Sequence, residues 1–138
     1  MILDLQHRMS NDQEHLTATE TASTNVIDFG AAGIAEKDLF LVINVNDAVT
    51  RVAGAANVTY LFESDSDSGF ATNNITHFTT TLAKATLVAG YNVVKMRLPK
   101  NVQRYVRCTY EPSATLDTGS ATAFLTMDVD VDNLVNLG

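Results

Sequence analysis

The sequence predicts an all-β protein, a jelly roll or β-sandwich of about eight antiparallel strands. The first observation is a hydrophobic period of two, in short stretches where apolar and polar residues alternate. The second is composition: Thr, Val and aromatic residues fill these stretches, and Gly, Asn, Asp and Ser separate them. The third is size, because 138 residues with 46% hydrophobic residues suit one β-domain with its own core.

The predicted strands follow one another along most of the chain. They are Asn25–Phe29, Leu39–Val45, Val58–Glu63, Ile75–Leu82, Thr86–Val88, Val93–Leu98, Tyr105–Tyr110 and Phe124–Val131. The last three alternate apolar and polar residues, as expected of half-buried antiparallel strands with one face toward the core. The stretch 39–43 is apolar on both faces, which predicts a central strand covered on both sides.

The N-terminal segment does not follow this pattern. Ser10–Gln13 has the form of a helix capping box, but residues 14–24 offer only Leu16 and small or polar side chains, so no apolar stripe would stabilise a helix. We predict an extended arm over residues 1–22, a sandwich over residues 23–132 and a tail over residues 133–138. The arm either folds back on its own sandwich or lies on a neighbour, because it carries three apolar side chains that water solvates poorly: Ile2, Leu3 and Leu5.

Residues 62–70 read FESDSDSGF, in which carboxylates and hydroxyls alternate before a glycine. A twelve-residue calcium loop needs oxygen ligands at positions 1, 3 and 5, Gly at position 6 and Glu at position 12. Starting at Asp65 puts Phe70 at position 6, and starting at Ser64 puts Ile75 at position 12. Both registers fail the calcium-loop pattern.

We therefore predict a polar loop in which Gly69 supplies a permissive φ. An irregular calcium site at Asp65 and Asp67 is the alternative. A second acidic stretch places Asp128, Asp130 and Asp132 on one face of a strand. Alternate strand residues lie about 6.5–7 Å apart, so these carboxylates are expected to be solvated or paired with basic residues and to bind no metal.

The charge is acidic overall but unevenly distributed. The net charge is −7, which argues against nucleic acid as a partner. Five of the nine Lys and Arg residues lie between positions 95 and 107: Lys95, Arg97, Lys100, Arg104 and Arg107. We expect them to form cross-strand ion pairs or a polar patch that contacts a protein partner.

No pattern in the sequence predicts catalysis or a cofactor. The three histidines, His7, His15 and His77, have no metal-ligand spacing, and no nucleophile elbow or phosphate-binding glycine loop is present. Cys108 falls in the inward-facing set of its strand, where a cysteine is usually an inert small hydrophobe. No apolar run is long enough for a signal peptide or a membrane helix, so we expect a protein that works without a membrane.

Several stretches, taken in order, resemble the Bbp16-type capsid cement proteins of tailed bacteriophages. They are STNVIDFGAAG (23–33), LFLVINVNDA (39–48), FESDSDSGF (62–70), ATLVAGYNVVKMRLPKNVQRYVRCTY (85–110) and ATAFLTMDVD (121–130). The resemblance covers about residues 23–130, and its specificity lies in the combined order and spacing of these stretches. The two ends of the chain have no counterpart.

This resemblance implies a small jelly-roll protein on the outer surface of the virion capsid, present in the host cytoplasm before assembly. Its partners would be the major capsid protein and further copies of itself, as a dimer or alternatively a trimer. We expect the capsid contacts to involve Ile2, Leu3 and Leu5 of the arm and four basic residues: Arg97, Lys100, Arg104 and Arg107. The alternative from another class is a carbohydrate-binding sandwich of a virion, although the chain has no Trp and only four Tyr.

Overall fold

The computed structural model describes residues 7–32 and 39–127. These residues form nine strands: β1 (Arg8–Glu14), β2 (Thr21–Ala22), β3 (Ile27–Asp28), β4 (Phe40–Val45), β5 (Asn57–Asp65), β6 (Ile75–Ala83), β7 (Asn92–Arg97), β8 (Tyr105–Pro112) and β9 (Ser120–Thr126). The predicted all-β fold of antiparallel strands is confirmed, with one strand more than the eight expected.

Two antiparallel sheets face each other across the core. The first sheet has the order β1-β9-β4-β7, and the second has the order β2-β8-β5-β6, with β3 also pairing with β8. The core between them consists mainly of aliphatic side chains and includes the two largest fully buried residues, Tyr60 and Tyr110. Burial of apolar surface at about 25 cal/mol per Å² is the main stabilising contribution in such a sandwich.

The periodicity of two correctly predicted which residues of β8 face inward. Val106, Cys108 and Tyr110 are fully buried in the core, whereas Tyr105 and Arg107 on the opposite face are partly exposed. The central position predicted for β4 is also confirmed, because β4 pairs with both β7 and β9 and is buried on both faces.

The N-terminal segment differs from the predicted arm. Residues 8–14 form β1, which pairs with β9, and Thr21–Ala22 pairs with β8, so residues 8–22 fold back on their own sandwich. The capping-box pattern at Ser10 is misleading, because the Ser10 side chain is fully buried and its hydroxyl lies 2.5 Å from the Tyr110 hydroxyl. Tertiary burial here overrides a local helix signal. Ile2, Leu3 and Leu5 lie outside the described residues.

The last strand begins earlier than the sequence predicts. β9 covers Ser120–Thr126, lies between β1 and β4 in the sheet, and is buried at every position. A strand buried on both faces shows no alternation, which is why the pattern that starts at Phe124 gave a late start. The carboxylates of Asp128, Asp130 and Asp132 and the predicted tail lie outside the described residues.

The short strand predicted at residues 86–88 does not form. Residues 86–88 lie in a turn closed by backbone hydrogen bonds from Thr86 to Ala83 and from Leu87 to Lys84. Leu87 is fully buried, so the apolar side chain that suggested a strand anchors a turn instead.

Candidate functional site

The acidic stretch at the end of β5 is a closed loop arranged around one carboxylate. Asp65 is fully buried, and its side chain accepts backbone N–H groups from Asp67 (2.9 Å), Thr72 (3.3 Å) and Asn73 (3.1 Å). Burial would raise the pKa of Asp65, but these hydrogen bonds outweigh it and hold the pKa below its usual value. The carboxylate is thus engaged with the backbone of its own loop.

The left-handed residue of this loop is not the predicted glycine. Phe70 has φ of 54°, whereas Gly69 is not among the residues with positive φ. A Cβ atom on Gly69 would lie 3.1 Å from Oδ2 of Asp67, so a larger residue here would require that side chain to move by a few tenths of an ångström. Phe70 tolerates this conformation because its ring is buried and lies 4.2 Å beneath the guanidinium of Arg107.

Arg107 is the centre of a partly buried ion-pair cluster. It lies directly opposite Glu63 in the pairing of β5 with β8, and its Nε donates to Glu63 Oε2 at 3.0 Å. A second carboxylate, that of Glu20, lies 3.6 Å from Nη2 of the same guanidinium. The cross-strand ion pair expected for the basic residues is therefore present here, and it connects β5, β8 and the segment before β2.

Arg104 forms a more exposed pair with Asp28. Its Nε and Nη2 donate to the two carboxylate oxygens at 2.7 and 3.0 Å, and its guanidinium lies 4.9 Å from the centre of the Tyr105 ring. The Arg104 guanidinium, together with the N–H of Gly30, lowers the pKa of Asp28. Both charged side chains are a little under half exposed, so this pair is screened by water.

The remaining basic residues lie elsewhere, so the structure does not form one basic edge over residues 95–107. Lys95 and Arg97 belong to β7, an edge strand of the first sheet, whereas Arg107 is on β8 of the second. Arg97 and Lys100 are exposed, Lys95 is half-buried, and Arg104 and Arg107 are engaged with carboxylates of this chain.

Ser64 and His77 form a contact that the sequence did not reveal. Ser64 Oγ lies 2.6 Å from His77 Nε2 and accepts the backbone N–H of Gln103 at 3.1 Å. Burial lowers the pKa of His77. His77 is the extra residue of a bulge between β5 and β6, a register shift with no sequence signal. Because Ser64 is fully buried, its hydroxyl connects segments and is not presented to a substrate.

His15 is a second residue whose position was not predicted. It is fully buried between the rings of Tyr60 and Tyr110, with centroid distances of 5.8 and 5.3 Å. Burial lowers its pKa, so the ring is neutral at pH 7. Cys108 is also fully buried, with its Sγ 3.8 Å from the Met9 sulfur, and burial raises the pKa of its thiol. These groups lie in the core rather than at a surface.

Neither a metal cluster nor a sugar platform is found among residues 7–32 and 39–127. No three His, Cys, Asp or Glu residues there are arranged to hold a metal ion, and no described helix has the length and hydrophobicity to cross a membrane. Tyr60 and Tyr110 are in the core, whereas Tyr91, just before β7, and Tyr105, at the start of β8, are half-buried and belong to different sheets. The tyrosines therefore do not form an exposed row.

The fold and the polar contacts described above define the class of protein. It is an antiparallel β-sandwich in which clusters of polar side chains connect segments of the same chain. A model of the Bbp16 family matches residues 9–128. The chain belongs to the Bbp16 family, a phage-related family, and this membership indicates a phage-associated structural protein. No curated protein matches the chain.

Proposed function

We propose that this protein is a capsid cement protein. It binds the outside of a tailed-phage head and braces the contacts between subunits of the major capsid protein. The observation that carries the proposal is the match of the Bbp16 family over residues 9–128, which covers every described strand but the start of β1 and agrees with the resemblance in the motifs. No catalytic residue, cofactor, nucleic acid or membrane takes part in the proposed function.

The rigidity of the sandwich supports a bracing role. Ion pairs and buried hydrogen bonds hold its loops to its strands, as the contacts of Asp65 and Arg107 illustrate. A rigid binder loses little conformational entropy on docking, so weak contacts retain more of their binding free energy. Because it binds the assembled lattice and not free subunits, it shifts the assembly equilibrium toward the closed shell.

Several copies acting together would strengthen this effect. We propose that the protein works as a homo-oligomer, a dimer rather than a trimer, that contacts neighbouring capsid subunits at once. After one copy has bound, binding of the second becomes effectively intramolecular, and the two weak contacts together give slow dissociation. The protein would reside in the host cytoplasm until heads are available and then on the outer capsid surface.

Lys100 is the better candidate for a capsid contact among the four basic residues, because it is exposed and takes no part in the ion pairs of Arg104 and Arg107. Arg97 is also exposed. Arg104 and Arg107 already neutralise carboxylates of this chain, and the pair of Arg107 with Glu63 is mostly buried, so changing Arg107 lowers stability as well as altering charge. A rim charge affects association mainly through its rate and its dependence on salt.

The decisive experiment adds purified protein to heads that lack it and measures the bound copies by co-sedimentation. Wild-type protein is expected to bind saturably and to raise the temperature at which heads release DNA. Lys100→Glu should bind more weakly, and its binding should depend less on salt concentration, because one favourable charge contact is lost. Failure of the wild-type protein to bind heads would contradict the proposed function.

A matched control separates a local contact from a change in total charge. Thr17→Glu/Thr19→Glu alters the net charge by the same two units as Lys100→Glu, at exposed positions before β2. This variant should bind heads as the wild type does. Equal loss of binding in both variants would show that overall repulsion, and no contact at Lys100, governs decoration.

The contribution of Ile2, Leu3 and Leu5 is tested by deleting residues 2–6 only. A longer deletion would remove β1, whose Met9 and Ser10 are fully buried, and would destabilise the sandwich. The short deletion should keep the thermal midpoint near that of the full chain and reduce the number of copies bound to heads. Unchanged occupancy would show that these three residues do not contact the capsid.

A further inference from the structure

The edge strands of the two sheets differ in how they are protected. An edge strand exposes unpaired N–H and C=O groups, and proteins usually guard it with charges, bulges, proline or short length. β1 has two register shifts and carries Arg8, Asp12 and Glu14, with Asp12 at φ of 49°. β7 carries Lys95 and Arg97. β2 and β3 are two residues long.

β6 is the exception among the described edge strands. It has nine residues, ITHFTTTLA, with no Asp, Glu, Lys, Arg or Pro, and within the described part of the chain it pairs with β5 alone. Its bulge lies at His77, so Phe78–Ala83 pairs regularly with β5 and presents a regular outer edge. Among residues 7–32 and 39–127, β6 is therefore a long, neutral edge that carries no charge or proline to protect it.

A second copy of the chain fits this edge better than an unrelated partner. The whole chain carries a net charge of −7, so two copies repel each other over most of their surface but not along a neutral strand. Two identical strands can pair antiparallel about a two-fold axis that is perpendicular to the sheet. Such an axis passes midway between the two strands, so that one residue lies opposite its own copy, and both cores stay on the same side of the joined sheet.

The side chains of β6 match each other in one such register. With the axis at Thr80, Phe78 lies opposite Leu82, and Thr79 lies opposite Thr81. Phe78 and Leu82 are partly exposed hydrophobic residues that pack against the core, so pairing would cover the rest of their apolar surface. Thr79 and Thr81 are exposed on the outer face, where the hydroxyl of Thr81 is hydrogen-bonded to that of Thr59 of β5 at 2.8 Å. Apolar pairs and Thr–Thr pairs both favour strand pairing.

We propose that β6 is the dimerisation edge: two copies pair antiparallel through β6 about a two-fold axis at Thr80 and form one continuous sheet. This inference rests on the oligomer included in the proposed function, and it specifies the surface that builds it. The dimer is a property of the free protein, so it is measured without heads, and its failure is distinguishable from a failure to bind heads.

Charge pairs on β6 test the register directly. Thr79→Lys/Thr81→Lys puts lysine opposite lysine twice across the axis, and it should raise the dimer dissociation constant by at least about tenfold in sedimentation experiments. Thr79→Lys/Thr81→Glu puts opposite charges in the same places and should restore dimers to near the wild-type level. The restored variant also shows whether substitutions at these two positions permit folding.

Thr17→Lys/Thr19→Lys is the matched control, because it adds the same charge at exposed positions outside β6. It should dimerise as the wild type does. A wild-type protein that stays monomeric at all concentrations, or that forms trimers, would overturn the inference. So would dimers that survive in the lysine pair on β6. If the free protein is monomeric and the lysine pair abolishes binding to heads, β6 pairs with the capsid protein and not with a second copy.

Discussion

The two ends of the sandwich are ordered by different means. At the end formed by residues 64–73 and 98–104, a single buried carboxylate, that of Asp65, collects three backbone N–H groups. At the opposite end, formed by residues 46–56, 84–91 and 113–119, order is distributed over many contacts. Backbone bonds there join Val49 to Leu87 and Thr50 to Thr118.

Side chains at the second end add neutral and cationic contacts. The Lys84 ammonium donates to the carbonyls of Arg51 and Gly54 at 2.7 and 2.6 Å, and His15 lies buried beside Gly119. Concentrated order at one end implies that one substitution can disrupt it, whereas distributed order implies that each contact is dispensable. Single substitutions can therefore test the difference between the two ends.

The largest effect is expected from Asp65→Ala. The substitution leaves the N–H groups of Asp67, Thr72 and Asn73 without their acceptor, and it releases Phe70 from its place under Arg107. The thermal midpoint should fall further than after any single substitution in an ion pair, and amides of residues 66–73 should lose protection from hydrogen exchange. Lys84→Met is the control at the opposite end, and an equal fall for both variants would contradict the contrast.

A smaller effect is expected from breaking the ion pair between Glu63 and Arg107. The two side chains are 5% and 18% exposed, so removing either leaves a poorly solvated charge. Glu63→Gln and Arg107→Gln should each lower the free energy of unfolding, and the double variant should reveal a coupling of about 1–3 kcal/mol by a double-mutant cycle in urea. Additive effects of the two substitutions would show that the pair is not coupled.

The Asp65 loop and the pair of Glu63 with Arg107 show which features of this structure can be predicted from the sequence. Alternation predicted that Arg107 lies on the outer face of β8, which made a cross-strand pair an expectation, but not that Glu63 would be its partner. The role of Asp65 was not predicted, because the carboxylate and its N–H donors meet only after the loop closes. β1 and β9 were misassigned for different physical reasons. β9 is buried at every position and so shows no alternation, whereas two register shifts and the left-handed Asp12 interrupt the alternation of β1.

At the other end, His15 should make stability depend on pH. Its pKa is lowered by burial from the ordinary value of 6.5, so the unfolded chain takes up a proton first as the pH falls. The contribution of neutral His15 to the free energy of unfolding is therefore fully present above about pH 6.5. It decreases below that pH, in total by about 1.4 kcal/mol for each unit between the pKa values of the unfolded and folded states. Chemical denaturation at pH 7.5 and 5.5 measures this decrease, and His15→Phe should reduce it, while His77, whose pKa burial also lowers, keeps its own contribution.

Asp65 contributes to stability in a different pH range from His15, so the pH dependence distinguishes the two ends of the sandwich. Its pKa is lowered, so its stabilisation is present above the ordinary value of 3.8 and is lost only as the pH falls through the folded pKa. The His15→Phe variant should therefore differ from the wild type as the pH falls from 7 to 5, where Asp65 is still ionised and its stabilisation is fully present. A variant with an unchanged profile between pH 7 and 5 would show that the His15 ring is not the group that titrates.

The smallest effect is expected from Arg104→Ala, although Arg104 makes two short hydrogen bonds to Asp28. Both side chains are a little under half exposed, and water solvates each of them when the pair is broken. The thermal midpoint should change little, and the small difference from the wild type should vanish as salt is added, because screening weakens an exposed pair. Arg107→Ala under the same conditions is the comparison, since its change should persist in salt. A large fall in the thermal midpoint of Arg104→Ala that persists in salt would show that burial does not determine which of the two arginines stabilises the fold more. It would also show that the segment after β3 depends on Asp28 as residues 66–73 depend on Asp65.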